Sequence, residues 1–565
     1  MHKSFLRLVM GLAALVVMCP AYAADIRMEK LGYAPVVLLT MESDLKLWTS
    51  ERLAEMNQLK GTVDFDSCKI SPHGRHLAAV ELKDNGKCCV WLDGKESPIY
   101  DQVRGLVRGA YRDQDFEFSP DGNRLAYTAR KGSKWVMVVD GKESAEFDGV
   151  REPYFSADSK HICYVGFRGK DAILVLDGKE CGKYPGICMN FPSFTAKTPQ
   201  RQIDTMYCPG IFGPNGRFAY SAVKARGKDG TDKIVAVIDG KETSAYDGIG
   251  GIEFSPDGKH VAFVARKAER KFVVLDGKPE AKYGDIDGLL TFSPDSKRLA
   301  YVATNYDANG DGQSFVVLDG KPGQKFHDIS GISVSFSPDS KHLSYFASPD
   351  SEKYCMVVDG KAGKTYDEVG EMGREPCQIY GPDGRLYYSA TKGDKHYMVI
   401  DGVQSPVYDD MVQPYPVLSR DGKHYAFTAM KNDRWFVVHD GVEGAHYGTI
   451  YDASLAITGD NKLVYKAAKP DSCQYITVID GKEHPEIENP AFSPDGTRMA
   501  YIMENDNNFI NKESVMLDGR KIGEFESVFG FNFDPNNNLT FLAVHEENKG
   551  DMIEKCLYRV EVASK

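Results

Sequence analysis

The chain lacks the short motifs by which the common enzyme classes are identified. There is no Gly-x-Ser-x-Gly nucleophile motif, no His-Glu-x-x-His zinc motif and no phosphate-binding loop of the Walker type. These absences argue against a serine hydrolase of the α/β class, a zinc-dependent protease and a nucleotide-hydrolysing enzyme. The sequence therefore offers no catalytic residue to propose.

The chain is also short of basic residues and of long apolar runs. Lys and Arg number 69 against 81 Asp and Glu, which gives the 565 residues a formal net charge of −12. An acidic surface repels phosphate backbones and anionic lipids, so nucleic acid and membrane surfaces are poor partners. After the first residues no stretch approaches the roughly 18 to 20 apolar residues of a membrane helix. We therefore expect no membrane span.

The first 23 residues have the pattern of a secretory signal peptide. Lys3 and Arg7 are followed by an apolar run, and Ala-Tyr-Ala at 21–23 supplies small residues at the cleavage positions. We expect residues 1–23 to be removed and the mature protein to be periplasmic or secreted. A lipoprotein anchor at Cys19 is the alternative, which the large methionine before it disfavours.

The cysteines give little support for a zinc site or a disulfide framework. Of the twelve, Cys19 lies in the signal peptide, so the other eleven are an odd set and one thiol stays unpaired in a monomer. A chain of this length buries a large core without disulfides, although export permits local ones. Cys181, Cys188 and Cys208 are the candidates for such pairing. The absence of any CxxC pair disfavours zinc.

One motif, Phe-Ser-Pro-Asp-Gly, recurs along most of the chain. It is unaltered at residues 118–122, 254–258 and 492–496, and variants raise the number of copies to about twelve, at a mean spacing near 42 residues. The variants begin at Ile70, Phe155, Phe212, Phe292, Phe336, Tyr380, Leu418, Ile457 and Phe533. Pro-Asp-Gly favours a tight turn. A fixed period of this length is typical of propeller blades.

A second motif, apolar-apolar-Asp-Gly, follows most copies of the first by roughly 20 residues. Its aspartates are Asp93, Asp140, Asp177, Asp239, Asp276, Asp319, Asp359, Asp401, Asp440, Asp480 and Asp518. Asp-Gly between β-rich runs indicates a type I′ hairpin turn, because both residues tolerate the positive φ that this turn requires. In the unit 251–283 we predict four strands, at residues 251–254, 259–264, 271–275 and 280–283. Four antiparallel strands joined by short turns make one propeller blade.

The repeated Ser-Pro-Asp-Gly-Lys followed by an apolar strand, as at residues 255–259, resembles the TolB-type, WD-repeat-like propeller family. The likeness covers nearly all of residues 62–562. It implies a secreted bacterial propeller of the periplasm that serves as a platform for binding proteins. The Trp-Asp and Gly-His pairs of eukaryotic WD repeats are absent, and nothing clearly matches the separate N-terminal domain that TolB carries.

We therefore predict an all-β protein of tandem β-propellers built from about twelve four-stranded antiparallel blades. Because an ordinary propeller has four to eight blades, we assign a first propeller to residues 62–330 and a second to 331–565, with six blades each. Seven plus five blades and one unusually large ring are the alternatives. Residues 24–61 are predicted to hold a strand at 36–40, able to complete the last blade, and either a short helix at 43–59 or a partial blade.

Antiparallel connectivity predicts that the two ends of the blades differ. The tight Pro-Asp-Gly and Asp-Gly turns fall at one end of every blade, and the longer connections fall at the other. Irregular loops on a rigid scaffold are the usual place for binding sites. We therefore expect binding at the end that carries the variable segments. These segments are residues 184–210, 222–233, 304–314 and 503–513.

Histidine recurs at one repeat position, near the start of the second strand of the blade. The histidines there are His76, His161, His260, His342 and His424, and Arg124, Arg298 and Arg498 substitute for them. A position shared by His and Arg over many blades indicates a structural role rather than acid–base or metal chemistry. The repeated turn aspartates are likewise predicted to be turn formers.

One loop has the first half of a calcium-binding pattern. Asp307, Asn309 and Asp311 alternate before Gly312, as the oxygen ligands do at the start of an EF-hand loop. The twelfth position is Leu318, where that motif has a bidentate Glu. Calcium at these three residues is the one cofactor that the sequence suggests, and a plain turn is the alternative.

The leading hypothesis is a non-enzymatic extracytoplasmic propeller that binds a protein or peptide partner through its variable-loop face. The alternative is a metal-dependent polysaccharide lyase or hydrolase of propeller fold, in which histidines outside the repeat position converge on a metal. Those histidines are His327, His396, His439, His446, His484 and His545. Their spacing along the chain predicts no cluster.

Overall fold

The structure is a computed structural model whose described residues are nearly all-β, as predicted. It describes residues 26–33, 62–72, 76–83, 85–93, 95–103, 116–151, 153–188, 210–227, 232–370, 378–411, 416–470, 475–504, 512–534, 536–549 and 552–562. Within these residues the strands form twelve antiparallel sheets, numbered here I to XII in chain order. The first strand, β1 (Ile26–Tyr33), belongs to sheet XII.

Sheets I to IV follow one another along the chain. Sheet I contains β2 (Thr62–Ile70), β3 (Leu77–Leu82), β4 (Cys88–Leu92) and β5 (Lys95–Glu96). Sheet II contains β6 (Gln102–Val103), β7 (Phe116–Phe118), β8 (Leu125–Lys131), β9 (Lys134–Val139) and β10 (Lys142–Glu143). Sheet III contains β11 (Gly149–Val150), β12 (Tyr154–Phe155), β13 (Ile162–Arg168), β14 (Asp171–Leu176) and β15 (Lys179–Tyr184). Sheet IV contains β16 (Gly186–Cys188), β17 (Ile211–Phe212), β18 (Phe218–Arg226), β19 (Asp232–Ile238) and β20 (Lys241–Glu242).

Sheets V to VIII continue the series along the chain. Sheet V contains β21 (Gly248–Phe254), β22 (Val261–Lys267), β23 (Arg270–Leu275) and β24 (Lys278–Pro279). Sheet VI contains β25 (Asp285–Phe292), β26 (Leu299–Tyr306), β27 (Gly312–Leu318) and β28 (Lys321–Phe326). Sheet VII contains β29 (Asp328–Ile329), β30 (Ser335–Phe336), β31 (Leu343–Ser348), β32 (Tyr354–Val358) and β33 (Lys361–Tyr366). Sheet VIII contains β34 (Glu368–Val369), β35 (Gln378–Tyr380), β36 (Leu386–Lys392), β37 (Lys395–Ile400) and β38 (Val403–Gln404).

Sheets IX to XII complete the series. Sheet IX contains β39 (Asp410–Met411), β40 (Val417–Leu418), β41 (Tyr425–Lys431), β42 (Arg434–His439) and β43 (Val442–Glu443). Sheet X contains β44 (Thr449–Ile457), β45 (Leu463–Ala468), β46 (Tyr475–Ile479) and β47 (Lys482–His484). Sheet XI contains β48 (Glu488–Phe492), β49 (Met499–Glu504), β50 (Glu513–Leu517) and β51 (Arg520–Phe525). Sheet XII contains β52 (Ser527–Phe533), β53 (Leu539–Lys549) and β54 (Met552–Val562), with β1 beside β54.

The N-terminal strand completes the last sheet. β1 pairs antiparallel with β54, from Ile26 opposite Val562 to Tyr33 opposite Cys556. A strand with this role was predicted, but at residues 36–40, which lie outside the described residues together with the helix predicted at 43–59 and the signal peptide. The described helical segments are two short 3₁₀ helices, η1 (Pro214–Gly216) and η2 (Gly331–Ser333). In the part of the chain that the structure describes, no helix is long and apolar enough to cross a membrane.

The Asp-Gly turns have the predicted type I′ conformation. In sheet V, Asp276 has a φ of 49° and Gly277 a φ of 77°, and the same pair of positive angles recurs at the other fully described copies. The first three strands of the unit 251–283 also lie close to their predicted positions. The fourth was predicted at the wrong residues: β24 is Lys278–Pro279, and of the predicted residues 280–283 only Tyr283 pairs, in an isolated bridge with Lys271.

The first strand is irregular in every sheet. In sheets II, III, IV, VII, VIII and IX it consists of two pieces that both pair with the second strand. In the other six it shifts register midway. The segment 184–210 is affected: β16 and β17 both pair with β18, so most of this segment interrupts a strand. We had expected a connection between strands, and the pairing corrects that prediction.

Apolar side chains from neighbouring sheets pack together. One cluster joins Ala262 and Val273 of sheet V to Leu299, Tyr301 and Phe315 of sheet VI. Another joins Ala126 and Met137 of sheet II to residues of sheet III. Full burial of one such large side chain stabilises the fold by about 1.5–3 kcal/mol. The nearly continuous apolar runs of the second and third strands are therefore explained by burial on both faces.

The chain divides into two compact units. One comprises Met1–Ile99, Thr458–Asp460 and His484–Lys565, and it holds sheets I, XI and XII. The other comprises Tyr100–Ile457 and Asn461–Glu483, and it holds sheets II to IX and most of sheet X. The predicted boundary between two propellers near residue 330 stays a prediction.

Candidate functional site

Each sheet has two ends of different character. At the turn end of sheets II to XI, the Pro-Asp-Gly turn or its variant joins the first strand to the second, and the Asp-Gly turn joins the third to the fourth. At the loop end, the second strand leads into the third, and the chain passes on to the next sheet. Both tight turns share one end because the strands alternate in direction.

The turn end is held together by a network of hydrogen bonds, which sheet V illustrates. The Ser255 hydroxyl donates to Asp257 at 2.7 Å and accepts the His260 backbone N–H at 2.9 Å. Asp276 Oδ2 lies 2.7 Å from His260 Nδ1, and Asp276 Oδ1 accepts the Val261 N–H at 3.0 Å. Asp276 therefore ties one tight turn to the other.

The same pairing between repeat positions recurs in most sheets. The pairs and their shortest N···O distances are His76–Asp93 (2.5 Å), Arg124–Asp140 (2.9 Å), His161–Asp177 (2.7 Å), Arg217–Asp239 (2.9 Å), Arg298–Asp319 (3.5 Å), His342–Asp359 (2.7 Å), His424–Asp440 (2.6 Å) and Arg498–Asp518 (3.0 Å). Arg385 departs from the pattern and pairs with Asp383. Contact with the aspartate of the other tight turn is what a structural role for the His and Arg position predicts. The sequence did not predict the partner of this position, which is the aspartate of the Asp-Gly turn in the same sheet.

The turn ends of the neighbouring sheets II and III are also bonded to each other. The Asp121 N–H donates to the Ser159 hydroxyl of the next sheet at 2.9 Å. Arg124 donates to the Lys160 carbonyl at 2.9 Å, and its guanidinium lies 5.3 Å from the centroid of the Phe155 ring. Polar groups that recur at the turn end thus hold turns within a sheet and between sheets.

The turn aspartates predict loss of stability in acid. Hydrogen bonds from Ser419 and from the Lys423 N–H lower the pKa of Asp421 to about 2, and Ser337 and Lys341 do the same for Asp339. Since the unfolded pKa is about 3.9, ionised Asp stabilises the folded chain above about pH 4, and this contribution is lost as the pH falls towards 2. Urea unfolding of wild type and Asp421→Asn at pH 5, 4, 3 and 2 checks this. We expect a shallower decline in the variant, and parallel curves would contradict the assignment.

The loop end carries a polar cavity of about 400 Å³ between sheets VI and VII. Its lining residues are Asp285, Thr304, Tyr306, Gly312, Ser314, His327, Asp328, Ser348, Ser351 and Tyr354. The Thr304 and Ser314 hydroxyls are 2.9 Å apart, and Lys271 forms an ion pair with Asp285. The variable segment 304–314 therefore contributes one wall of this cavity.

Three exposed tyrosines also lie at the loop ends of the sheets. Tyr306 and Tyr451 each expose 54% of their surface and Tyr475 exposes 48%. Tyr306 ends the second strand of sheet VI, and Tyr475 begins the third strand of sheet X. The rings of Tyr451 and Tyr475 meet edge to face with centroids 6.3 Å apart. Exposed aromatic surface of this kind is enriched in protein interfaces.

The proposed calcium ligands lie in a compact turn next to this cavity. Asp307 Oδ1 accepts the backbone N–H groups of Asn309 at 2.8 Å and Asp311 at 3.0 Å. These bonds belong to an ordinary Asp-initiated turn. A calcium ion would compete with them for the Asp307 carboxylate. The site stays a prediction, which heat in a calorimetric calcium titration would support and its absence would remove.

Two cysteines of the predicted local disulfide set are described, and they are not joined. Cys181 and Cys188 are free thiols, and Cys208 lies outside the described residues.

Elsewhere, Cys89 lies near Glu81 and Glu96 in sheet I. The Lys83 ammonium forms ion pairs with both carboxylates, at 2.8 Å from Glu81 and 3.0 Å from Glu96. Burial raises the pKa of Cys89 to about 11, so its thiol stays protonated at neutral pH.

The remaining histidines whose side chains are described are mostly separate from one another. His327 lines the loop-end cavity, His446 stacks on Phe436, and His484 lies 3.1 Å from Glu486. His439 is the exception, because the structure brings it to His424 and Asp440. The sequence did carry a signal: a histidine occupies a position that is apolar in the other copies of the Asp-Gly motif.

No protein-family model and no curated protein matches the chain. Among solved structures, it is similar to TolB from Acinetobacter baumannii, with 13% identity over 68% of this chain and 95% of that chain and a TM-score of 0.22. It is similar to the β-propeller domain of the Trilobed protease from Pyrococcus furiosus, with 15% identity over 53% of this chain and 97% of that chain and a TM-score of 0.23. It is also similar to a eukaryotic initiation factor, with 11% identity over 63% of this chain and 91% of that chain and a TM-score of 0.31.

Proposed function

We propose that this protein is a non-enzymatic extracytoplasmic tandem β-propeller that binds a protein or peptide partner at its loop end. The twelve sheets are then its blades, and the first 23 residues direct its export. The observation that carries the proposal is the contrast between the ends of the sheets. Repeated polar groups at the turn end bond to one another, whereas the loop end of the larger unit carries a cavity and three exposed tyrosines.

The chemistry of the loop end favours a peptide over a small apolar ligand. The cavity offers carboxylates from Asp285 and Asp328 and hydroxyls from Thr304 and Ser314. Tyr306 and Tyr354 add rings to its lining. Tyrosine gives a large contact area with a polar tip at low cost in side-chain entropy, which suits it to recognising extended chains. Because Lys271 already pairs with Asp285, the attraction for a partner segment with basic residues comes from Asp328.

Site-specific photo-crosslinking in the native host tests this proposal. A photoreactive phenylalanine analogue replaces Tyr306 or Tyr475 at the loop end, and Val403 or Val442 at the turn end serves as the matched control. These valines are also exposed, at 71% and 69%. We expect a discrete protein adduct from the loop-end positions and none from the turn-end positions. Equal adducts from both ends, or adducts only from the valines, would reject the proposed surface.

An activity assay distinguishes partner binding from the alternative function, a lyase or hydrolase. A lyase or hydrolase of this fold would act on polysaccharide, so purified protein would release fragments from an acidic glycan and no protein adduct would be needed. We expect no fragment release. Fragment release that depends on added metal would favour the enzyme instead.

A further inference from the structure

Three potential metal ligands meet at the turn end of sheet IX. They are His424, His439 and Asp440, and one ligand atom of each lies within 4.8 Å of the other two. His424 Nδ1 is 2.6 Å from Asp440 Oδ2, and His439 Nε2 is 3.7 Å from the same oxygen. The two imidazole rings have centroids 6.0 Å apart. Two imidazole nitrogens therefore lie close to one carboxylate oxygen.

One member of this trio distinguishes sheet IX from its counterparts. The His424–Asp440 pair is the common pair of the repeat, as His260–Asp276 is in sheet V. The residue before the Asp-Gly turn is Leu, Ile or Val in the other ten copies of the motif, as at Leu275, but it is His439 here. Turn formation does not require this histidine, because the other copies form the same turn without it.

The environment of His439 leaves one of its ring nitrogens able to bind an ion. Its Nε2 atom is buried and has no hydrogen-bond partner among the described residues. A buried polar atom without a partner costs about 1–3 kcal/mol, and a bound metal ion would offset this cost. The side chains of His424, His439 and Asp440 are 37%, 32% and 36% exposed, which leaves a path for an ion from solvent.

We propose that His424, His439 and Asp440 bind one divalent transition-metal ion, of which zinc is the best fit. Imidazole nitrogens favour zinc, nickel and copper, whereas calcium and magnesium take oxygen ligands. Ligands about 2.1 Å from a tetrahedral zinc ion lie about 3.4 Å apart, close to the 3.7 Å between His439 Nε2 and Asp440 Oδ2. The ion displaces the hydrogen bond between His424 and Asp440, and water completes its coordination. The site does not depend on the partner binding proposed above.

Calorimetric titration of the untagged, metal-stripped full chain with Zn²⁺ tests the site. We expect one equivalent to bind to wild type, and His439→Val, which restores the residue type of the other repeats, to weaken binding at least about tenfold. His260→Ala is the matched control: it removes a repeat-position histidine of sheet V and leaves the affinity unchanged. Leu275→His builds the same trio beside His260 and Asp276, and we expect a second equivalent.

Two results would overturn the proposal: no stoichiometric Zn²⁺ binding to wild type, or equal affinity in His439→Val. Protection from diethyl pyrocarbonate provides a test on the wild-type chain that does not depend on the variant folding. Mass spectrometry should show that Zn²⁺ protects His424 and His439 and leaves His342 reactive. Modification of all three at the same rate with and without Zn²⁺ would also reject the site.

Discussion

Replacing Tyr301 with alanine lowers the free energy of unfolding by about 3–5 kcal/mol, the range for deleting a large buried aromatic side chain. Tyr301 is fully buried between sheets V and VI, and its ring meets that of Tyr283 edge to face. Its hydroxyl donates to Glu280 at 2.6 Å. The substitution therefore opens a cavity between two sheets and leaves a carboxylate without its donor. Urea unfolding followed by tryptophan fluorescence measures the loss.

Two further variants separate packing from hydrogen bonding. Tyr301→Phe keeps the ring and removes only the donor to Glu280, so we expect a smaller loss of about 1–3 kcal/mol. Tyr306→Ala lies in the same strand, β26, but at a position that is 54% exposed. We expect it to change stability by no more than about 0.5 kcal/mol. Similar losses at Tyr301 and Tyr306 would show that neighbouring sheets do not pack as described.

Replacing Asp276 with alanine has the second largest expected effect, a loss of about 2–4 kcal/mol in the free energy of unfolding. The carboxylate accepts the Val261 N–H and pairs with His260, and each such bond contributes about 1 kcal/mol. The residue also has a φ of 49°, a conformation that costs alanine about 1–2 kcal/mol. Thermal and urea unfolding of the variant measure the combined effect.

The comparison of Asp276→Asn with His260→Ala divides that effect into its parts. Asparagine tolerates the positive φ and keeps an acceptor for the Val261 N–H, so a loss of about 1 kcal/mol is expected. His260→Ala removes only a pair whose side chains are 45% and 42% exposed, worth about 0–1 kcal/mol. The expected order is Asp276→Ala, then Asp276→Asn, then His260→Ala. A larger loss for His260→Ala than for Asp276→Ala would contradict the anchoring role of the aspartate.

Local chemistry made much of the fold predictable. The Asp-Gly motif implies positive φ at both residues, and Asp276 and Gly277 show it. The apolar run 272–275 forms the third strand of its sheet. The histidine position could be assigned a structural role because Arg replaces His at the same place, as Arg124 does.

Features that depend on contacts distant in sequence were not predictable in the same way. The pairing of His260 with Asp276 joins two motifs that each appeared to be a separate turn. The break in the first strand of sheet IV, which falls within the segment 184–210, is visible only in the pairing of β16 and β17 with β18. His439 was named only as one of several scattered histidines, because its spacing from His424 has meaning only once both lie at one end of a sheet.

The most direct test of the division between a structural turn end and a binding loop end is an affinity comparison with the partner captured by crosslinking. The double variant Tyr306→Ala/Tyr475→Ala should bind that partner at least about tenfold more weakly, a loss of about 1.4 kcal/mol, with unchanged unfolding. The turn-end double variant His260→Ala/His342→Ala should bind as wild type does. The opposite pattern, with binding lost from the histidine variant and kept by the tyrosine variant, would contradict the account.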